Sequence, residues 1–440
     1  MNRPGSPFDP PSPSLPLGRL LLLILLALLC VKGCESPADR SADEEAMLEE
    51  EADAAGDSLS ADTAGEPADD AVLHAEPPLP AAPAEGELPL WADPAYLAEQ
   101  RDTALARVIG QLLERHHPDG AIWLMADGST NELLAWGQYN DSALQRAPHF
   151  ASRATFPAAS IAKTVTAAAA FESGRFSPSS AFPLVGRAHT LYNRQLKVKE
   201  GQGTPISVSH AFARSMNPPM ALLGMRTGAP ALRESARKFG FGVATADGLP
   251  TPSRYVAPDS GYALAEVSCG FTQSTTLSPA QAAGMAYSVL TGRPWTPAWA
   301  PRSPEGGFPR RPLSPVPAHK PSTLRDLRAL FEETATSGTA RKSLRKTIFP
   351  NWRDRLVVGG KTGSLDGSDP QGRYDWFVGY AYDKENPKKS VVVVVMQYHR
   401  RLRSLPASQV TGVLLNYWAK YYLDTKKPSR APRKNATKRG

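Results

Sequence analysis

Phe156-Pro157-Ala158-Ala159-Ser160-Ile161-Ala162-Lys163 runs into Thr164 to Phe171, a stretch that is apolar apart from two threonines. Its alanine content predicts a helix over 158–173, closed by Gly174. Ser160 opens the apolar run, and Lys163 follows three residues on, so both side chains share one helical face. A lysine inside such a run is either buried for a purpose or misplaced. A serine hydroxyl is a weak nucleophile until a base stands beside it. Lysine serves as that base only when its pKa falls, through burial, a helix N-terminus or a second cation.

Ser-x-x-Lys alone is unspecific. It recurs at Ser235-Ala236-Arg237-Lys238 and Ser343-Leu344-Arg345-Lys346, both among basic residues and both read as solvated faces with no buried side. Order supplies the specificity. Ser215-Met216-Asn217 and then Lys361-Thr362-Gly363 follow the first motif, and Lys-Thr-Gly occurs once. Another Ser-x-Asn, Ser129-Thr130-Asn131, reads as a hairpin turn. The three ordered motifs supply a nucleophile, two nitrogen bases or cations, a second hydroxyl and an amide. That is the inventory for opening an amide through an acyl-serine. Simpler readings stand beside it: Thr362 as a β-former, Asn217 as a cap for the helix begun by Pro218-Pro219, and Trp376 and Phe377 as core.

Around these motifs the body alternates helices and strands. Helical spacing marks Leu105 to His116, Pro218 to Met225, Leu232 to Phe239, Pro279 to Leu290, Leu324 to Thr334 and Ser408 to Leu423. Ala121 to Ala126 and Leu133 to Gln138 form a hairpin around Asp127-Gly128. Leu356 to Gly360 leads a strand into Lys361. Tyr374 to Tyr382 and Ser390 to His399 are strands, the latter with five consecutive valines and so buried on both faces. Gly292 to Pro321 is Pro-rich and reads as a long loop. The class is mixed α/β.

The ordered motifs, with Phe239-Gly240-Phe241-Gly242, Leu277-Ser278-Pro279-Ala280-Gln281, Gly338-Thr339-Ala340 and Asp375-Trp376-Phe377-Val378-Gly379-Tyr380, resemble penicillin-binding transpeptidases of the acyl-serine D,D-peptidase and serine β-lactamase superfamily. The likeness covers about Asp102 to Leu423. It implies an antiparallel sheet flanked by helices beside an all-helical lobe. It also implies roles. Ser160 attacks the penultimate D-alanine of a D-Ala-D-Ala stem, and Lys163 takes its proton. Ser215 relays a proton to the leaving D-alanine. Asn217 holds Lys163 and the substrate amide. Lys361 and Thr362 meet the terminal carboxylate, and Gly363 lets the strand lie close to the substrate. The N–H groups of Ser160 and Ser364 form the oxyanion hole. Ser364 and Ser278 stand where many relatives carry threonine. β-Lactams are the implied inhibitors.

The chain has 440 residues and a net charge of +7. That figure hides a split. Residues 35–90 hold 17 acids and one base, whereas residues 91–440 hold 46 bases against 25 acids, a net of +21. Four segments follow: 1–34, an export signal or anchor; 35–92, an acidic Ala/Pro-rich disordered tether; 93–424, the transpeptidase-like domain; and 425–440, a basic disordered tail. Leu20 to Val31 is an apolar run of twelve after Arg3 and Arg19, short for a spanning helix and suited to a signal peptide. Val31-Lys32-Gly33-Cys34 resembles a lipoprotein cleavage box with an unusual lysine. Two readings stay open, lipid on Cys34 or an uncut anchor. Both place the body outside the cytoplasm, tethered to a membrane and away from nucleic acid. The basic body suits an anionic neighbour or a merely solvated surface. Cys269 is the one cysteine in the body, so no disulfide framework is expected. No His, Cys or carboxylate cluster has metal-ligand spacing, and no cofactor is expected. His116-His117 ends a helix in solvent.

Three functions compete. The first is a peptidoglycan D,D-transpeptidase or D,D-carboxypeptidase, which differ in whether an amine or water takes the acyl group. The second is a serine β-lactamase; no Glu-x-x-Leu-Asn follows Ser215, and the lifetime of the penicilloyl-enzyme discriminates. The third is a tethered scaffold or penicillin sensor, which would survive loss of Ser160. The stretch before residue 100 is too short for a glycan-polymerising domain, so a separate polymerase is the expected partner.

Overall fold

The computed structural model describes residues 103–130, 133–140, 155–242, 253–293, 318–368, 371–400, 403 and 405–423. The export or anchor segment with Cys34, the acidic tether, the basic tail and most of the Pro-rich loop lie outside these.

Helix α1 (Thr103–His116) leads into the hairpin β1 (Gly120–Asp127) and β2 (Leu133–Asn140). Asp127 closes its turn by accepting the N–H and hydroxyl of Ser129 and the N–H of Thr130. A short strand β3 (Phe156–Pro157) then enters a 3₁₀ turn over Ala159–Ala162 and helix α2 (Lys163–Glu172). Next come β4 (Ala181–Leu184), α3 (Asn193–Leu196), β5 (Thr204–Ser207), α4 (Val208–Ala213), α5 (Asn217–Thr227), α6 (Ala229–Lys238) and α7 (Gly261–Cys269). After β6 (Thr276–Leu277) follow α8 (Pro279–Thr291), α9 (Pro321–Thr336), α10 (Arg341–Thr347) and α11 (Pro350–Arg353). The described residues end with β7 (Leu356–Ser368), β8 (Gln371–Asp383), β9 (Ser390–His399) and α12 (Ala407–Trp418), with a wider turn over Ala419–Leu423.

Five strands form one antiparallel sheet in the order β2-β1-β9-β8-β7. The mixed α/β class with an antiparallel sheet and flanking helices is what the sequence predicts. Side chains alternate across the sheet. One face sets Ile122, Leu124, Trp376, Val378, Tyr380, Val392, Val394 and Met396 against α2, α4, α5, α8 and α9. The other sets Trp123, Met125, Phe377, Ala381, Val391, Val393 and Val395 against Leu105 and Ile109 of α1 and Val410 and Leu414 of α12. Every residue of β9 is buried, as its valine run requires. Trp376 and Phe377 are core, and the Trp376 indole N–H donates to Pro157 O at 3.1 Å.

The helical lobe is not wholly helical, because β4 and β5 pair within it and β4 packs on α5. The pairing Phe156↔Leu277 and Pro157↔Thr276 fixes the approach to Ser160. No helix among the described residues is long and apolar enough to cross a membrane.

Two sequence readings need correction. Ser235 and Ser343 are buried, on the inner faces of α6 and α10. Both helices are basic outside and apolar inside, and their charges masked the inner stripe. Ser235 Oγ donates to Val165 O at 3.1 Å and meets His319 Nε2 at 3.1 Å, which makes it a core hydrogen-bonder.

Candidate active site

The predicted helix over 158–173 divides at Lys163. Ser160 sits in the 3₁₀ turn and Lys163 is the first residue of α2. In a 3₁₀ turn residues three apart eclipse one another, so Lys163 Nζ reaches Ser160 Oγ at 2.7 Å. The turn is held from outside. Ala159 adopts φ +50, rare for a residue with a side chain. Its carbonyl packs against Gly270, where a Cβ would lie 2.0 Å from that oxygen. Gly270, at φ +72, ends α7 in the left-handed conformation and leaves Cys269 O facing the lysine.

Lys163 has three acceptors: Ser160 Oγ at 2.7 Å, Asn217 Oδ1 at 2.8 Å and Cys269 O at 2.7 Å. They match the three donors of an ammonium. The side chain is fully buried, and burial pushes its pKa down to about 8. Roughly a tenth of it is then free amine at pH 7. As an amine it donates to Asn217 and Cys269 and accepts from the serine hydroxyl with no change of geometry. The Cys269 thiol is buried too, and burial raises its pKa to about 11.

Asn217 is the first residue of α5 and not its cap, a place held by Met216. Its Nδ2 donates to His189 O at 2.5 Å and its backbone N–H to Ala188 O at 2.6 Å. The amide is therefore fixed with its oxygen toward Lys163. Two residues earlier, Ser215 turns the chain at φ +58, with its N–H on Phe212 O and the next N–H on Ala211 O. That conformation costs a non-glycine residue on the order of 1 kcal/mol, and it delivers the hydroxyl to β7. There Lys361 Nζ donates to Ser215 Oγ at 2.9 Å and to Thr362 O at 2.8 Å. The ammonium lies 5.5 Å from the centre of the Phe212 ring. Lys361 is fully buried, and burial with the neighbouring Lys163 charge holds its pKa well below the usual lysine range. It faces Ser215. Thr362 and Ser364, further along the strand, are half-buried.

Gly363 also has a packing role. A Cβ there would meet Ile161 Cγ1 at 3.2 Å and Ala159 Cβ at 3.3 Å, so its missing side chain seats β7 against the Ser160 turn. Ser364 Oγ accepts from Arg373 Nε at 2.9 Å. The Thr362 hydroxyl meets that of Thr339 at 2.5 Å. Sequence reasoning missed Cys269 O, which has no side-chain signature, and Arg373. It noted Thr339 without giving it a task. Among the described residues no cluster of three His, Cys, Asp or Glu side chains stands ready for a metal ion. Cys34 lies outside the described residues.

Residues 121–413 match the family model described as the penicillin binding protein transpeptidase domain. Peptidoglycan D,D-transpeptidase PbpA of Mycobacterium tuberculosis is 28% identical over 287 residues, covering 60% of this chain and 54% of that protein. The chain therefore spans about half the length of the curated relative. Among solved structures, penicillin binding protein 3 of M. tuberculosis in complex with aztreonam aligns with a TM-score of 0.56 at 18% identity, over 74% of this chain and 78% of that one. The imipenem acyl-enzyme complex of penicillin-binding protein A from M. tuberculosis aligns with a TM-score of 0.52 at 20% identity, over 72% and 78%. At these identities the structures speak for the fold. With the matched model covering the sheet, the helical lobe and all three motifs, the chain belongs to the penicillin-binding protein transpeptidase domain family.

Proposed function

We propose that this chain is a peptidoglycan D,D-transpeptidase working through an acyl-serine on Ser160. One observation carries the reading: a fully buried lysine amine 2.7 Å from a half-exposed serine hydroxyl. A curated relative named for this activity and the family membership support it.

Ser160 Oγ attacks the carbonyl carbon of the penultimate D-alanine, and its proton passes to the Lys163 amine. The N–H groups of Ser160 and Ser364 receive the developing oxyanion, where one donor is typically worth about 3–4 kcal/mol. The bond to the terminal D-alanine nitrogen breaks. Ser215 hands that nitrogen a proton and is replenished from Lys361, whose low pKa makes it a ready donor. Asn217 holds Lys163. Thr362 and Ser364 present hydroxyls to the substrate carboxylate. Lys163, left protonated by this half-reaction, returns that proton to Lys361 by way of the Ser215 hydroxyl; an acceptor amine then attacks the acyl-enzyme and gives a proton to the freed Lys163 amine, and Ser160 Oγ leaves with that proton. Water in place of the amine gives D,D-carboxypeptidase action.

The stem peptide is the substrate class, and β-lactams, which carry a strained amide and a carboxylate, are the inhibitors. We place the body at the outer face of a membrane, tethered by residues 1–92 through lipid on Cys34 or an uncut anchor, with glycan polymerised by a partner protein.

The test is labelling with a fluorescent penicillin and mapping of the modified peptide by mass spectrometry. A long-lived adduct on Ser160, absent in Ser160→Ala, is expected. Rapid turnover of the adduct would make the chain a β-lactamase, and no adduct on Ser160 would overturn the reading.

A further inference from the structure

Thr339 Oγ1 and Thr362 Oγ1 lie 2.5 Å apart, and among the described residues neither hydroxyl has a second partner. Two hydroxyls that share one hydrogen bond leave one proton over. Which proton is left decides what Thr362 can do. If Thr362 donates to Thr339, it turns only lone pairs outward and repels an anion. If Thr339 donates, the Thr362 proton is free to meet one.

Thr339 is held in place from both sides. Its N–H donates to Ala213 O at 3.0 Å, and Gly338 lies so close to the same carbonyl that a Cβ would sit 2.3 Å away. The N–H groups of Ser337 and Gly338 both bind Glu333 O, at 2.9 and 3.0 Å, and Arg341 N–H binds Gly338 O. Ala213 is two residues before Ser215. The turn between α9 and α10 thus ties the second-motif serine to the hydroxyl of the third motif.

We propose that Thr339 is a positioning residue for the substrate carboxylate. Its hydroxyl donates to Thr362 Oγ1 and so aims the Thr362 proton at the anion of a D-alanyl stem peptide or penicillin. The proposal rests on the acyl-serine reading above, and it assigns substrate selectivity to a residue outside the three motifs.

The experiment measures the second-order rate of Ser160 acylation by benzylpenicillin and by its methyl ester, in wild type, Thr339→Val, Thr339→Ser and Thr362→Val. Thr339→Val is expected to slow the free acid about tenfold, the size of one hydrogen bond to a charged group, and to leave the ester unchanged. Thr339→Ser should retain the wild-type ratio. Adding Thr339→Val to Thr362→Val should bring no further loss, because both act through one bond. Equal slowing of acid and ester, or no slowing, overturns the proposal. Should Thr339→Val fail to fold, Thr339→Ala read by the same acid-to-ester ratio decides the matter. Absence of any Ser160 adduct in wild type overturns the acyl-serine reading itself, and the inference falls with it.

Discussion

Asn217 Oδ1 lies 2.8 Å from Lys163 Nζ, and its direction is fixed because the Nδ2 of the same amide is bound to His189 O. The amide cannot flip without losing both bonds. A neutral acceptor in this place leaves the lysine pKa low, whereas a carboxylate would raise it. Asn217→Asp is therefore expected to move the rising limb of the acylation profile to higher pH. The check is the rate of penicillin acylation as a function of pH, and an unmoved limb would count against the contact.

Lys163 itself sets a second expectation. With its pKa brought down to about 8 by burial, the active amine grows about tenfold per pH unit below that value. Acylation of the wild type should rise with pH and level off above about 8. Lys163→Met should cut the rate by about a hundredfold to ten-thousandfold, the usual weight of a general base. Stopped-flow labelling measures both.

Gly270 and Gly174 offer a matched pair. Both hold left-handed backbone, at φ +72 and +70, but only Gly270 abuts a neighbour, with a virtual Cβ 2.0 Å from Ala159 O. Gly174→Ala should cost about 1–2 kcal/mol, the conformational term alone. Gly270→Ala should cost more and also disable acylation, because Ala159 must move and carries Ser160 with it. Calorimetry and labelling of the two variants separate the terms.

His319 gives a pH dependence of stability. It is buried against Phe239, with ring centres 4.3 Å apart, and bonded to Ser235; Glu172, Lys238 and Glu234 are the charges around it. Burial lowers its pKa from 6.5 to about 4. The unfolded chain thus binds this proton first as pH falls. Stability from this group is complete above pH 6.5 and is lost as pH falls to 4, on the order of 3 kcal/mol. His319→Gln should flatten that part of the curve in urea melts taken across the interval.

The long elements were legible because their periods are strong: the valines of β9, the alanines of α2 and the paired prolines at the start of α5. The three motifs were legible because chemistry that needs a particular side chain leaves it in the sequence. What stayed hidden was made of backbone and shape. Cys269 O serves Lys163 whatever the side chain at 269. The packing of Gly363 on Ile161 and Ala159 is a matter of shape that no side chain announces. α7 escaped because its glycine and serine flanks outweighed nine weakly amphipathic residues.

In the sheet order, β1 lies between its hairpin partner β2 and β9, whose residues come some 270 positions later, as in the register Gly120↔Tyr398. A nascent chain therefore lacks the middle strand of the sheet until residues 390–399 have emerged, and β1 waits until then with one edge unpaired. Such a protein cannot close its core during synthesis. A chain cut short anywhere ahead of the valine strand would lack the centre of the sheet and keep apolar faces open to aggregation.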